Sequence, residues 1–132
     1  MPQLNQLTCS IEIGKANAAL KEYGIRYHDR HVSSFISVPG ENIDFSVHLT
    51  SKGYIAPGLA MFVYIDGQYQ CNRNKPGLVF PADDTPPDAY EIDLRVRQKE
   101  EIQFDGNFIG RNWSFSALKS GQFALNNIIT VY

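Results

Sequence analysis

Ile43-Asp44-Phe45-Ser46-Val47-His48-Leu49-Thr50 alternates apolar and polar side chains without interruption. A period of two places Ile43, Phe45, Val47 and Leu49 on one face of an extended chain and the polar residues on the other. On a helix the same apolar residues would spread around the circumference, so the segment predicts a half-buried β-strand. The pattern recurs upstream, where Leu7, Cys9, Ile11 and Ile13 alternate with Thr8, Ser10 and Glu12. It recurs downstream, where Tyr90, Ile92, Leu94 and Val96 alternate with Glu91, Asp93, Arg95 and Arg97. Ile25–His28 and Val32–Val38 have strand character on either side of the polar Asp29-Arg30-His31. Lys15–Tyr23 has helix-forming composition but ends at Gly24, and reads as a short helix or a loop.

Leu59–Ile65 is apolar on both faces. That suits a central strand covered on each side, or one edge of a large interface. Asp66-Gly67 follows, a pair that tolerates the positive φ angles of a type I′ turn. A two-residue loop there pairs Ile65 with Gln68, Tyr64 with Tyr69, Val63 with Gln70 and Phe62 with Cys71. Asp105-Gly106 gives a second hairpin signal between Glu101–Phe104 and Phe108-Ile109. Pro81–Asp88, with three prolines and three aspartates, predicts an extended acidic loop. Trp113, Phe115 and Leu118 lead into a possible short helix ending at Gly121, and Ile128–Tyr132 is β-prone. Ile128, Ile129, Val131 and Tyr132 would be a hazard at an exposed edge, so that segment is expected to pair beside Leu7–Ile13 or across a dimer interface. Many short strands with turn signals about every ten residues predict an all-β fold. The expected form is an antiparallel two-sheet sandwich, Ig-like or jelly-roll-like, with a closed β-barrel as the rival.

A chain of 132 residues predicts a single domain over 1–132, which could also be the N-terminal domain of a longer protein. Hydrophobic residues at 43% and charged residues at 20% are the proportions of a globular protein and exclude wholesale disorder. Twelve Lys and Arg against fourteen Asp and Glu give a net charge of −2, which argues against a nucleic-acid partner. The N-terminal residues have neither the basic start nor the apolar run of a secretion signal. No apolar stretch approaches the roughly 20 residues a membrane helix requires. These features predict an intracellular protein, cytoplasmic or nuclear, with Cys9 and Cys71 as reduced thiols.

Phe45–Gly53, with Gly58–Asn74, resembles a domain-of-unknown-function family of filamentous fungi. Arg95-Val-Arg-Gln-Lys-Glu-Glu101 and Phe108-Ile-Gly-Arg-Asn-Trp-Ser-Phe115 resemble the C-terminal half of the same family. The resemblance covers about Leu7 to Leu118 and rests on framework motifs. It implies a shared β-sandwich-like fold and an intracellular fungal protein, and it carries no activity, cofactor or catalytic residue.

His28-Asp29-Arg30-His31 is the densest group of metal-ligand types, with His48 as a conceivable third ligand. Alternate strand residues point apart and Arg30 repels a cation, so the segment reads as a solvated turn and no metal is expected. There is no Gly-x-Ser-x-Gly elbow, no Cys-x-x-Cys and no glycine-rich phosphate loop, so neither a catalytic residue nor a cofactor is predicted. Arg95, Arg97 and Lys99 share one face if strand spacing persists, with Arg111 nearby. That face is either a basic patch for phosphate or an acidic peptide, or an alternating-sign solvent face beside Asp93 and Glu101. Tyr64, Tyr69 and Trp113 could stack on a sugar ring, although Trp113 between Phe108 and Phe115 reads more simply as core packing. The leading functional expectation is a non-catalytic module that binds a protein partner or itself. The alternatives are a small lectin-like carbohydrate-binding sandwich, and an enzyme of unrecognised type.

Overall fold

The computed structural model describes residues 3, 4, 6–55 and 57–116. Among these the strands are β1 (Gln3–Leu4), β2 (Leu7–Ile13), β3 (Ala18–Ala19), β4 (Glu22–His28), β5 (His31–Ile36) and β6 (Phe45–Ser51). There follow β7 (Leu59–Ile65), β8 (Gln68–Lys75), β9 (Asp93–Val96), β10 (Gln98–Ile102) and β11 (Phe108–Asn112). The one helical turn among them is the 3-10 turn Pro87–Ala89, at the end of the acidic loop. The fold is all-β and sandwich-like, every strand pair is antiparallel, and the described strands form no closed barrel.

The central sheet runs β1-β2-β6-β9, with β3 added to the far end of β2. The alternation read at Ile43–Thr50 now has a direction. Phe45, Val47 and Leu49 pair with Ile13, Ile11 and Cys9 of β2, and Val47 and Leu49 also pair with Val96 and Leu94 of β9. Since register preserves face, these residues form one apolar surface. The inner faces of the other strands close over it, so that Leu59, Met61 and Val63 of β7 and Cys71 of β8 belong to the same buried cluster. Ile36, Leu78, Ile92, Trp113 and Phe115 complete it. Leu49, Ile92 and Val96 are almost wholly buried, each worth about 1.5–3 kcal/mol in apolar transfer. Ser51 ties the segment between the acidic loop and β9 to this core: its amide donates to the Ile92 carbonyl at 2.9 Å and its Oγ accepts the Ile92 amide at 2.8 Å.

Several expectations change. Lys15–Tyr23 is neither a helix nor a plain loop. Gly14 and Asn17, both at positive φ, turn the chain so that Ala18-Ala19 runs back along Ile13 and Glu12, and β4 begins at Glu22. A tight return beside an already extended strand leaves no room for a helical turn. The Asp66-Gly67 hairpin forms with φ of 52° and 75°, and Tyr64 pairs with Tyr69 as read. Beyond that pair the register shifts by one: Val63 faces Cys71 and Phe62 faces Asn72, leaving Gln70 as the extra residue of a bulge. Cys71 and Val63 are both buried, so the bulge brings the thiol to the core face where the unshifted register would have set it opposite outward-facing Phe62. The basic face is also interrupted. β9 ends at Val96 and β10 starts at Gln98, because at Arg97 the chain leaves the central sheet and its carbonyl accepts the Trp113 amide instead. The expectations for Leu118, Gly121 and Ile128–Tyr132 lie outside the described residues.

Candidate functional site

Two surfaces collect the chemically interesting side chains, one on each side of the central sheet. The first is the outer face of the β7–β8 hairpin. Leu59–Ile65 alternates buried and exposed along its length, so its second apolar face is uncovered among the described residues. Phe62 (42% exposed), Tyr64 (56%) and Tyr69 (45%) occupy that face. The two tyrosine rings meet edge to face with centroids 5.6 Å apart, and Asn72 Nδ2 donates to Tyr69 Oη at 2.5 Å. The edge-to-face contact and the amide bond hold the phenol rings in place, so the face is ordered before it meets anything. Among the described strands β7 pairs with β8 alone, which leaves its other edge available for hydrogen bonding.

The second surface is the polar face of the central sheet. In β2, β6 and β9 the residues out of phase with the core are Glu12, His48, Asp93 and Arg95, and register brings them side by side. Glu12 is buried, its side chain 7% exposed. His48 Nδ1 lies 2.6 Å from Glu12 Oε1, and His48 Nε2 lies 2.6 Å from Asp93 Oδ1. Carboxylates only accept, so both contacts are hydrogen bonds only when the ring carries two protons. Arg95 Nε donates to Glu12 Oε2 at 2.8 Å. Burial pushes the Glu12 carboxyl up, but hydrogen bonds from Arg95 and His48, with their charges, outweigh it and hold the group below the ordinary glutamate range. Arg95 is raised in turn, first by the bond to Glu12. Among the described residues no serine, threonine or cysteine side chain bonds to His48. What the arrangement accomplishes on its own is the neutralisation of a buried acid.

The residues singled out from sequence therefore separate. Tyr64 and Tyr69 come together. Arg95 is committed to Glu12. Lys99 and Arg111, on β10 and β11, share Glu101, with Lys99 Nζ 3.5 Å from Oε1 and Arg111 Nε 2.9 Å from Oε2. This is the alternating-sign face, not a basic patch. Arg97 stands apart with no ion pair among the described residues and borders a cleft on the polar face. Trp113 is 7% exposed, stacks with Phe45 at 5.9 Å between centroids, and donates from Nε1 to Gln70 Oε1 at 3.2 Å. Its ring is a core element and presents no face to a sugar. His28 and His31 do meet, as partners flanking the Asp29-Arg30 turn. Nothing among the described residues joins them as a group of three ligands.

Sequence reasoning missed the Glu12–His48–Asp93–Arg95 cluster. Each member sits on the polar phase of an alternating segment, but nothing local shows that the three segments are neighbours. Compared with known proteins, the chain matches no family model, no curated protein and no solved structure.

Proposed function

We propose that this protein is a non-catalytic interaction module that binds a protein partner or a second copy of itself through the outer face of β7–β8. The observation that carries this reading is the group formed by Phe62 and Tyr64 of β7 and Tyr69 of β8, three large rings partly exposed, the two tyrosines in edge-to-face contact, on a hairpin whose β7 has no second neighbour among the described strands. Aromatic residues are enriched where binding energy concentrates, because they bury large area at little entropic cost. An edge strand adds main-chain hydrogen bonding to that apolar contact. An intracellular fungal setting accompanies the proposal; it rests on the sequence resemblance, and Cys9 and Cys71, which form no disulfide, are in keeping with it.

Sedimentation across a wide concentration range, with chemical cross-linking, tests the self-association form of the proposal. Wild type should associate, and Phe62→Ser with Tyr64→Ser should remain monomeric with an unchanged fold. If wild type is monomeric throughout, affinity capture should recover a partner that the same double variant loses. A capture profile indifferent to these substitutions removes the reading.

One observation favours the carbohydrate alternative. Tyr69 has the Asn72 amide at its hydroxyl, and an exposed ring flanked by an amide is suited to stacking and hydrogen bonding with a sugar. Glycan binding that quenches tyrosine emission and disappears in Tyr69→Ser would support it over the protein-binding form.

A further inference from the structure

A cleft of about 350 Å3 opens on the polar side of the central sheet, beside Glu12. Its rim brings together parts of the chain far apart in sequence: the Gly14–Asn17 turn, Asn42 before β6, Arg97 at the exit of β9 and Asn112 at the end of β11. Lys15 and Arg97 line it, and neither has an acid within 4.0 Å among the described residues. Asn17, Asn42 and Asn112 line it too, and their side-chain amides make no hydrogen bond to a described residue. Asn17 and Asn42 hold left-handed backbone at φ of 51° and 56°, a conformation that non-glycine residues adopt at a cost and that clusters at binding sites. Ser46, 5% exposed as a residue, adds a hydroxyl to the cleft wall.

We infer that this cleft is a binding site for a sugar-sized polyol that carries one carboxylate or one phosphate group. The volume lies at the small end of ligand pockets and suits a single ring. Two cations call for an anion, since the Glu12 carboxylate is already held by Arg95 and His48. Each asparagine amide offers both a donor and an acceptor, which matches hydroxyl groups better than apolar surface. Asp44 also lines the cleft; its carboxylate accepts from a hydroxyl and disfavours a second anionic group on the ligand. The site lies across the central sheet from the β7–β8 hairpin, so it does not depend on the interaction surface proposed above.

Amide chemical-shift titrations with glucuronate and glucose 6-phosphate, using glucose as the uncharged control, test the inference. At least one of the anionic sugars should give saturable shifts at Gly14, Asn17, Asn42 and Asn112, and which one binds separates carboxylate from phosphate. Glucose should give none. Lys15→Gln and Arg97→Gln alter exposed side chains, so each should keep the wild-type melting curve while weakening binding roughly tenfold, equivalent to about 1.4 kcal/mol. No saturable shift with either anion at millimolar concentration overturns the site. So does equal binding by glucose, or unchanged affinity in both variants.

Discussion

At the scale of single residues, Glu12 carries the clearest consequence. Its carboxyl is held below the ordinary glutamate value of about 4.3, so its contribution to stability is complete above that value. It is lost as pH falls through the lowered, folded-state value. Glu12→Gln should therefore destabilise the protein by about 2 kcal/mol at neutral pH, the scale of a lost charge-assisted hydrogen bond. That figure lies below the 3–5 kcal/mol of a fully buried pair because the Arg95 side chain is 33% exposed and water screens it. Paired thermal melts of wild type and variant should converge under acid. A difference that persists at low pH, or none at pH 7, contradicts the assignment. Gln70 gives a second test. Gln70→Ala removes the acceptor for the buried Trp113 indole N–H and should cost about 1–3 kcal/mol. Denaturant titration followed by Trp113 fluorescence reads both the stability and any loosening around the indole.

Among the elements, the β7–β8 hairpin concentrates what local chemistry can specify. Gly67 sits at φ 75°, and a Cβ added there would meet nothing, so the penalty of a side chain is purely conformational. Gly67→Ala should lower the denaturation midpoint by an amount equivalent to about 1–2 kcal/mol with an unchanged slope. Gly58, at the other end of the hairpin, has a different role: a Cβ there would run into the Lys75 carbonyl oxygen and the Pro76 Cα. Gly58→Ala should cost more than Gly67→Ala, because it forces the base of the hairpin apart. If the two variants rank in the opposite order, the close approach at Gly58 is not a constraint in solution. The Gln70 bulge belongs to the same element and couples it to the rest of the fold. It lets Cys71 enter the core and turns Gln70 toward Trp113.

For the molecule as a whole, the two thiols report on how tightly the layers close. Burial, with the nearby Glu22 charge adding to it, pushes the Cys9 thiol up to about 12, and Cys71 is buried in the shared core. Only the thiolate reacts, so at pH 8 both should be labelled at the rate of opening, faster as denaturant is added. Unfolding without reductant should release two titratable thiols. Rapid native labelling, or fewer than two thiols on unfolding, would contradict this closed, disulfide-free core. The strands β2, β6 and β9, their faces and the Asp66-Gly67 turn were legible in the sequence, because alternation and turn chemistry act between neighbouring residues. Ile43–Thr50 announced its apolar and polar faces, and Trp113 between two phenylalanines read as core. The strand order was not legible, and with it the meeting of Glu12, His48, Asp93 and Arg95, which lie 36 to 83 residues apart for the bonded contacts to Glu12. The one-residue shift at Gln70 and the cleft that gathers Lys15, Asn42, Arg97 and Asn112 were hidden for the same reason. A period of two states which side of a strand faces the core, but the choice of neighbouring strand is made by the packing of the whole chain, and only that choice brings distant polar residues into contact.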